Sequence, residues 1–373
     1  MTHKSSGVEQ NWQLAKTLGQ ACRIACLYDK ALVWFRRSAE IAETEFAPLG
    51  SMTKKEQEIA TSYDNIGDVY SSMGKYPEAL SEYKKSLDMR LALYGTEKPH
   101  PSVASSYNNI GNVYCSMGKY PEALSEYKKA LDMRLAVYGT EKPHPDVASS
   151  YNNIGGVYYS MGKCPEALSE YKKSLDMRLA VSGTEKPHPS VASSYNNIGG
   201  VYSSMGKYPK ALSEYKKSLD MCLAVYGTEK PHPDVATSYN NIGSVYNWMG
   251  KYPEALSEYK KSLDMRLALY GTEKPHPSVA SSYNNIGNVY SSMGKYPKAL
   301  SEYKKSLDMC LAVYGTEKPH PDVASSYNNI GGVYYSMGKY PEALSEYKKA
   351  LDMRLAVYGT EKPHPDVATS YYS

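Results

Sequence analysis

The string Lys-Pro-His-Pro recurs seven times, with its histidine at His100, His144, His188, His232, His276, His320 and His364, always 44 residues apart. A fixed period of this length marks a supersecondary unit copied in tandem, and it constrains the fold more than any single motif does. Seven units follow, 60–103, 104–147, 148–191, 192–235, 236–279, 280–323 and 324–367, and a truncated eighth, Ala-Thr-Ser-Tyr-Tyr-Ser, occupies 368–373. The copies are nearly identical, which points to recent duplication. A length of 373 residues would otherwise suggest two or three ordinary domains. The repeat overrules that count.

Unit 104–147 shows the local logic. Ala104, Tyr107, Ile110, Gly111, Tyr114 and Met117 recur at three- and four-residue spacing, which is one face of an α-helix. Asp146, or Ser at the same place in other units, is positioned to cap such a helix from just before it. Gly118-Lys119 breaks the pattern, and Pro121 then stands where a first helical turn tolerates proline. A second helix is predicted from about 121 to 138, burying Ala123, Leu124, Tyr127, Leu131 and Leu135. Gly139 ends it, and Lys142-Pro143-His144-Pro145 cannot continue it. The unit is a helix-turn-helix hairpin in which Gly111 and Ala123 let the helices approach closely. A hairpin of 44 residues rarely buries a core alone. Stacked hairpins bury each other's faces, as an all-α, quasi-one-dimensional solenoid with a concave side.

Tyr107, Gly111, Tyr114, Gly118, Ala123, Tyr127 and Ala130 fall where the tetratricopeptide repeat signature has its aromatic, glycine and alanine landmarks. The sequence resembles that family over about 310 of its 373 residues. The strings YNNIG, GKYPEAL, EYKKALDMRLAVYG and HPDVA are similar, more narrowly, to the repeats of kinesin light chains and related arrays. This resemblance implies a right-handed superhelical solenoid of tandem hairpins whose first helices line a concave groove. The family's usual proline near the end of the second helix is missing here, and the Thr-Glu-Lys-Pro-His-Pro loop lengthens the unit. The N-terminal coiled coil by which kinesin light chains join the motor is also absent from this sequence.

Residues 1–59 are compositionally separate and hold both phenylalanines, Phe35 and Phe46, and two of the three tryptophans, Trp12 and Trp34. Leu18, Gly19, Tyr28, Ala31, Leu32 and Phe35 nevertheless echo the repeat's landmarks. A disordered stretch over 1–10, then a degenerate capping hairpin and linker over 11–59, is the expectation. No comparable cap is expected at the other end. The sequence stops inside a first helix and leaves an apolar end. That end suits a fragment of a larger regulator or enzyme, or pairing with a second copy.

The face of the first helix opposite its core carries Ser105, Asn108, Asn109, Asn112, Cys115 and Ser116. One asparagine repeats along it in every unit: Asn65, Asn109, Asn153, Asn197, Asn241, Asn285 and Asn329. A side-chain amide both donates and accepts, matching the pattern of a peptide backbone. A ladder of amides could therefore clamp an extended chain with little regard to its sequence, and the resembled families use asparagines here in that way. The competing reading is that they solvate the groove or brace neighbouring repeats. Read as pointing away from the core, Asn153, Asn197 and Asn241 could be changed together to alanine without loss of folding.

Two other groove positions vary between copies. One reads Asp68, Asn112, Gly156, Gly200, Ser244, Asn288 and Gly332; the other reads Ser71, Cys115, Tyr159, Ser203, Asn247, Ser291 and Tyr335. Trp248 replaces a serine found in every other unit. Tyr159, Trp248 and Tyr335 are candidate aromatic anchors for a ligand's apolar side chains. Neutral drift on a solvated face gives the same pattern.

Other functions find little support. Net charge is +4, with both signs interleaved, so no nucleic acid or anionic membrane is expected as a partner. No stretch approaches 18 apolar residues, and no signal core opens the chain. The six cysteines include Cys222 and Cys310, which stand where Arg90, Arg134, Arg178, Arg266 and Arg354 stand in other repeats. Such scattered substitutions make no disulfide framework, and a reducing cytoplasm is expected. Serine, histidine and aspartate recur in seven equivalent settings, whereas catalysis needs one constellation in one pocket. No cofactor is expected, and loop histidines a repeat apart cannot share one metal ion. The reading is a non-enzymatic scaffold for a protein or peptide partner. The alternatives are a recognition arm of a larger protein and a kinesin-light-chain-like cargo adaptor.

Overall fold

The computed structural model describes residues 2–45, 52–96, 98–140, 142–183, 186–228, 230–271, 274–315 and 318–358. Among them there are sixteen α-helices and no strand. Two compact units, Met1–Thr184 and Glu185–Ser373, divide the chain. The first holds α1 (Thr2–Ile24), α2 (Tyr28–Glu45), α3 (Met52–Ser72), α4 (Tyr76–Tyr94), α5 (Pro101–Ser116), α6 (Tyr120–Tyr138), α7 (Pro145–Ser160) and α8 (Cys164–Ser182). The second holds α9 (Pro189–Ser204), α10 (Tyr208–Tyr226), α11 (Pro233–Trp248), α12 (Tyr252–Tyr270), α13 (Pro277–Ser292), α14 (Tyr296–Tyr314), α15 (Pro321–Ser336) and α16 (Tyr340–Tyr358). Within each unit every odd-numbered helix pairs with the next as a hairpin, and each hairpin packs on the one after it.

The turn inside a hairpin follows from one glycine. Gly118 adopts φ +70°, a left-handed conformation open to a residue without Cβ. Its N–H donates to Cys115 O, and Lys119 N–H reaches back to Tyr114 O at 2.9 Å, closing the last turn of α5. Pro121 sits in the first turn of α6, where its missing N–H costs nothing.

The start of each first helix differs from expectation. Asp146 was placed as the cap, but the cap is the histidine. His144 is extended (φ −140°, ψ 135°), and its Nδ1 accepts from Asp146 N–H at 3.1 Å. Pro145, expected only to break a helix, is the first residue of α7. The imidazole lies flat on Tyr138, with ring centroids 3.5 Å apart. Its backbone N–H points at Met177 Sδ. The loop is thereby pinned from both sides, and the hairpin of the type unit spans 101–138, three residues ahead of the boundary at 104.

The core of a hairpin is narrower than the periodicity predicted. Val103, Ala104, Ile110 and Val113 are buried on α5, as are Ala123, Tyr127, Ala130 and Leu131 on α6. Tyr107, Tyr114, Leu124 and Leu135 are only half-buried. Lys129 Nζ lies 5.4 Å from the centre of the Tyr107 ring. Gly111 is a close approach, since a Cβ there would lie 2.8 Å from ring carbons of Tyr127.

The hairpin α1–α2 repeats this contact, with a Cβ on Gly19 lying 2.6 Å from Phe35. Residues 2–10, expected as disordered, are the opening turns of α1, continuing a helix anchored by buried Trp12 and Ala15. Residues 52–59, expected as linker, open α3, in keeping with their Lys, Glu and Gln content. Residues 46–51 of that linker, the end of the last full repeat and the truncated unit at 368–373 lie outside the described residues, as does the expected apolar C-terminal end.

Candidate peptide-binding groove

On α5 the side opposite the buried valines exposes Ser105, Asn112 and Ser116, with Asn108, Asn109 and Cys115 half-buried beside them. The same strip recurs on the first helix of each later repeat. Its asparagines do not simply point outward. Asn153 Nδ2 donates to Asn108 Oδ1 at 2.8 Å in the first unit. In the second unit Asn241 donates to Asn196 at 2.8 Å, Asn285 to Asn240 at 2.9 Å, and Asn329 to Asn284 at 2.7 Å. Each bond joins the first helices of successive repeats. Asn65 is buried and accepts from Gln20 Nε2 at 3.1 Å. Asn109 is half-buried at the same place on α5, and Asn197 lines a cavity between α9 and α11.

Truncating these asparagines without consequence for folding is therefore not the expectation from the structure. Adjacent first helices come close enough for one amide to reach the next, and complementary donor and acceptor satisfy each other. The bracing reading accounts for one N–H of the donor and one lone pair of the acceptor.

The first variable series has a structural logic. Asn112 Oδ1 accepts from Tyr127 Oη at 2.6 Å, and Asn288 does the same for Tyr303 at 2.6 Å. Asp68 accepts from Tyr83 at 2.5 Å, and Ser244 pairs with Tyr259 at 2.9 Å. Burial is the main cause that raises the pKa of these tyrosines, that of Tyr303 to about 12. Where the series carries glycine, a Cβ at Gly156 or Gly332 would stand 3.6 Å from Tyr171 or Tyr347 Oη, so the hydroxyl faces an open notch.

Profile models of the tetratricopeptide repeat match residues 58–136, 102–180, 234–312, 278–356 and 322–373, and a second such model matches 191–234. The chain belongs to the tetratricopeptide repeat family. No curated protein matches this tetratricopeptide protein in sequence. Among solved structures it is similar to BtubC (BKLC) from P. vanneervenii, at 22% identity and TM-score 0.55, over 66% of this chain and 94% of that one. It is also similar to a signal transduction ATPase with numerous domains (STAND) from Pyrococcus horikoshii that has a tetratricopeptide repeat sensor. That likeness has 15% identity and TM-score 0.58, over 87% of this chain and 48% of the other. Nearly identical TPR-like repeats of a Podosopora anserina protein described as a kinesin light chain align at 17% identity and TM-score 0.48, over 57% and 98%. At these identities the likeness to the first two is one of fold.

On this tetratricopeptide scaffold the three aromatic candidates stand out from the core. Trp248 is 68% exposed, Tyr335 59% and Tyr159 39%, against near-complete burial of Tyr127 and its copies from Tyr83 to Tyr303. Tyr335 meets Tyr340 edge-to-face at 5.5 Å between centroids. Beside Trp248, Asn247 Oδ1 is buried without a hydrogen-bond partner. The sequence singled out Asn247 only as a variant; an unsatisfied buried acceptor is visible only in three dimensions. The acceptor asparagines Asn196, Asn240 and Asn284 were likewise missed, although each precedes a recognised one in the Asn-Asn pair. Among the described residues no group of three His, Cys, Asp or Glu could hold a metal ion, and no helix is long and apolar enough to cross a membrane.

Proposed function

We propose that the protein is a non-enzymatic scaffold that holds an extended segment of a partner protein along the first helices of its repeats. The observation that carries this reading is the asparagine ladder, one bridge in the first unit and three in succession at the same register in the second. Each bridging amide keeps a second N–H, and bracing rigidifies the row, which lowers the ordering cost of binding. Peptide backbone offers donors and acceptors at matching alternation, so the row grips main chain, while Tyr159, Trp248 and Tyr335 choose apolar side chains. A cytoplasmic location is part of this reading, and the unpaired cysteines support it.

The test is selection from a random peptide library on the full chain, beside the variant Tyr159→Ser, Trp248→Ser, Tyr335→Ser. Serine is the residue of sister repeats at these places, so the variant keeps its fold. Enrichment of peptides with apolar residues by the native chain, and at least about tenfold weaker binding of them by the variant, is expected. No enrichment, or equal binding by both, would overturn the proposal.

A further inference from the structure

Five repeats carry an arginine near the end of the second helix, and two carry Cys222 and Cys310 instead. The arginine repeats show what that place holds. Arg134 Nη1 donates to Ser150 Oγ at 2.6 Å and to Asp146 O at 3.1 Å, both on the next first helix. Arg266 makes the same pair of bonds to Ser282 Oγ and Ser278 O, at 2.7 and 2.8 Å. Arg90 does so too and adds Asp64 at 2.6 Å.

In the second unit the acceptors remain where the guanidinium is gone. Beside Cys222 they are Ser238 Oγ and Asp234 O; beside Cys310 they are Ser326 Oγ and Asp322 O, with Ser238 and Ser326 buried. A cavity of about 170 Å³ opens at Cys222, and one of about 180 Å³ opens at Cys310. Either holds several waters at about 30 Å³ each, and so has room for a side-chain head group. The floors are Cys222 with Ser218 and Cys310 with Ser306. The mouths carry Ser193 and Asn196, or Ser281 and Asn284, which are residues of the groove strip. Asp234 and Asp322 line the two cavities, each with an exposed carboxylate that accepts from Tyr226 or Tyr314 Oη and stays open to a second donor. Burial raises both thiols above the ordinary cysteine pKa, so neither contributes a thiolate. Ser238 and Ser326 Oγ donate to Asp234 O and Asp322 O at 3.0 Å, as Ser150 Oγ does to Asp146 O beside Arg134. Each hydroxyl thus keeps a lone pair for a stronger donor than a thiol.

We propose that the Cys222 and Cys310 cavities are two sockets for arginine side chains of the bound segment, each supplying in trans the guanidinium that sister repeats supply from their own chain. This rests on the groove reading above and names the chemistry of its ligand. Planar guanidinium suits a hydroxyl and a carbonyl set side by side, with a carboxylate nearby, better than ammonium does. The sockets are two repeats apart in one unit, roughly 20 Å at about 10 Å per helix-packing step. An extended chain covers that in about six residues at about 3.3 Å each. The ligand is thus an extended peptide with two arginines about six residues apart.

The test measures fluorescence anisotropy of the full chain with a labelled Gly-Ser-Ala peptide bearing two arginines six residues apart. The same peptide with citrulline at both places removes charge while keeping shape. The comparison protein is Cys222→Arg, Cys310→Arg, in which the chain's own arginines fill both cavities as Arg134 and Arg266 do theirs. The native chain should bind the arginine peptide at least about tenfold tighter than the citrulline one, the factor a charge-assisted hydrogen bond supplies. The double variant should lose that preference. Equal binding of the two peptides, no binding of either, or a preference unchanged in the variant would overturn the sockets. The library selection judges the groove separately: peptides that bind native chain and double variant equally would sustain the groove and refute the sockets.

Discussion

Adjacent glycines at 155–156 and 199–200 should respond to alanine with opposite signs. A Cβ on Gly155 would lie 2.9 Å from Tyr171 Cδ1, and one on Gly199 would lie 2.8 Å from Tyr215 Cδ1. Both rings are buried, so neither can swing aside freely. Overpacking of this kind costs about 1–3 kcal/mol, set against about 0.8–1.0 kcal/mol gained by replacing a mid-helix glycine. The net is a loss of about 1 kcal/mol per site. Gly156 and Gly200 are one position further on, and a Cβ there meets only a tyrosine Oη at 3.6 Å, an ordinary contact. Each should gain about 0.8–1.0 kcal/mol from propensity alone. The variants Gly155→Ala, Gly199→Ala and Gly156→Ala, Gly200→Ala therefore separate by about 4 kcal/mol if the sites add. A repeat array need not unfold in one step, so the reading is the order of urea midpoints followed by far-ultraviolet circular dichroism. The expected order is the 156/200 variant, then native, then the 155/199 variant. A 155/199 variant as stable as the native chain would refute the packing argument.

Other consequences follow from single contacts. Asn285→Ala removes the bond to Asn240 and should lower stability by about 0.5–1.5 kcal/mol, read as a lower urea midpoint. Arg134→Cys should lower it by about 1.5–3 kcal/mol, because two acceptors lose a charged donor, yet should leave a folded chain like the natural cysteine repeats. Burial, and then the nearby Arg90, push the His100 pKa below its usual 6.5, so folding favours the neutral ring whose Nδ1 caps α5. That contribution is complete above about pH 6.5 and is lost as pH falls through the lower folded value. His100→Asn keeps a capping acceptor and should flatten the thermal-stability profile over that acid range.

The hairpin was legible because its signals are local and periodic. Gly118, Pro121 and Gly139 mark turn, start and stop through backbone conformation alone, and Gly111 faces the Tyr127 ring, where the two helices approach closely. What the periodicity misjudged was which apolar residues are deepest. Val103 and Val113 are buried, while Tyr107 and Tyr114 lie half in solvent, because neighbouring repeats rather than the partner helix cover the second side. The cap was misread since histidine is not among the usual capping residues; the ring stacks on a tyrosine in most repeats, yet His188 caps α9 even where Ser182 replaces that tyrosine. Asparagines on a polar strip look identical in sequence whether they face solvent or each other. That distinction needs the spacing between repeats, which no single unit encodes. Cys222 and Cys310 read as scatter until the bonds of Arg134 showed what their cavities lack.

The central claim is that a partner segment lies along the first helices. It is tested most directly by photo-crosslinking a library-selected peptide carrying benzoylphenylalanine to the full chain and mapping the adducts by mass spectrometry. The segment around Trp248 is unique among the repeats, so adducts there can be assigned without ambiguity. The account predicts adducts on the strips that carry Trp248, Tyr335 and the bridging asparagines. Adducts confined to the lysine-bearing faces of second helices, such as Lys128 and Lys260, would contradict it.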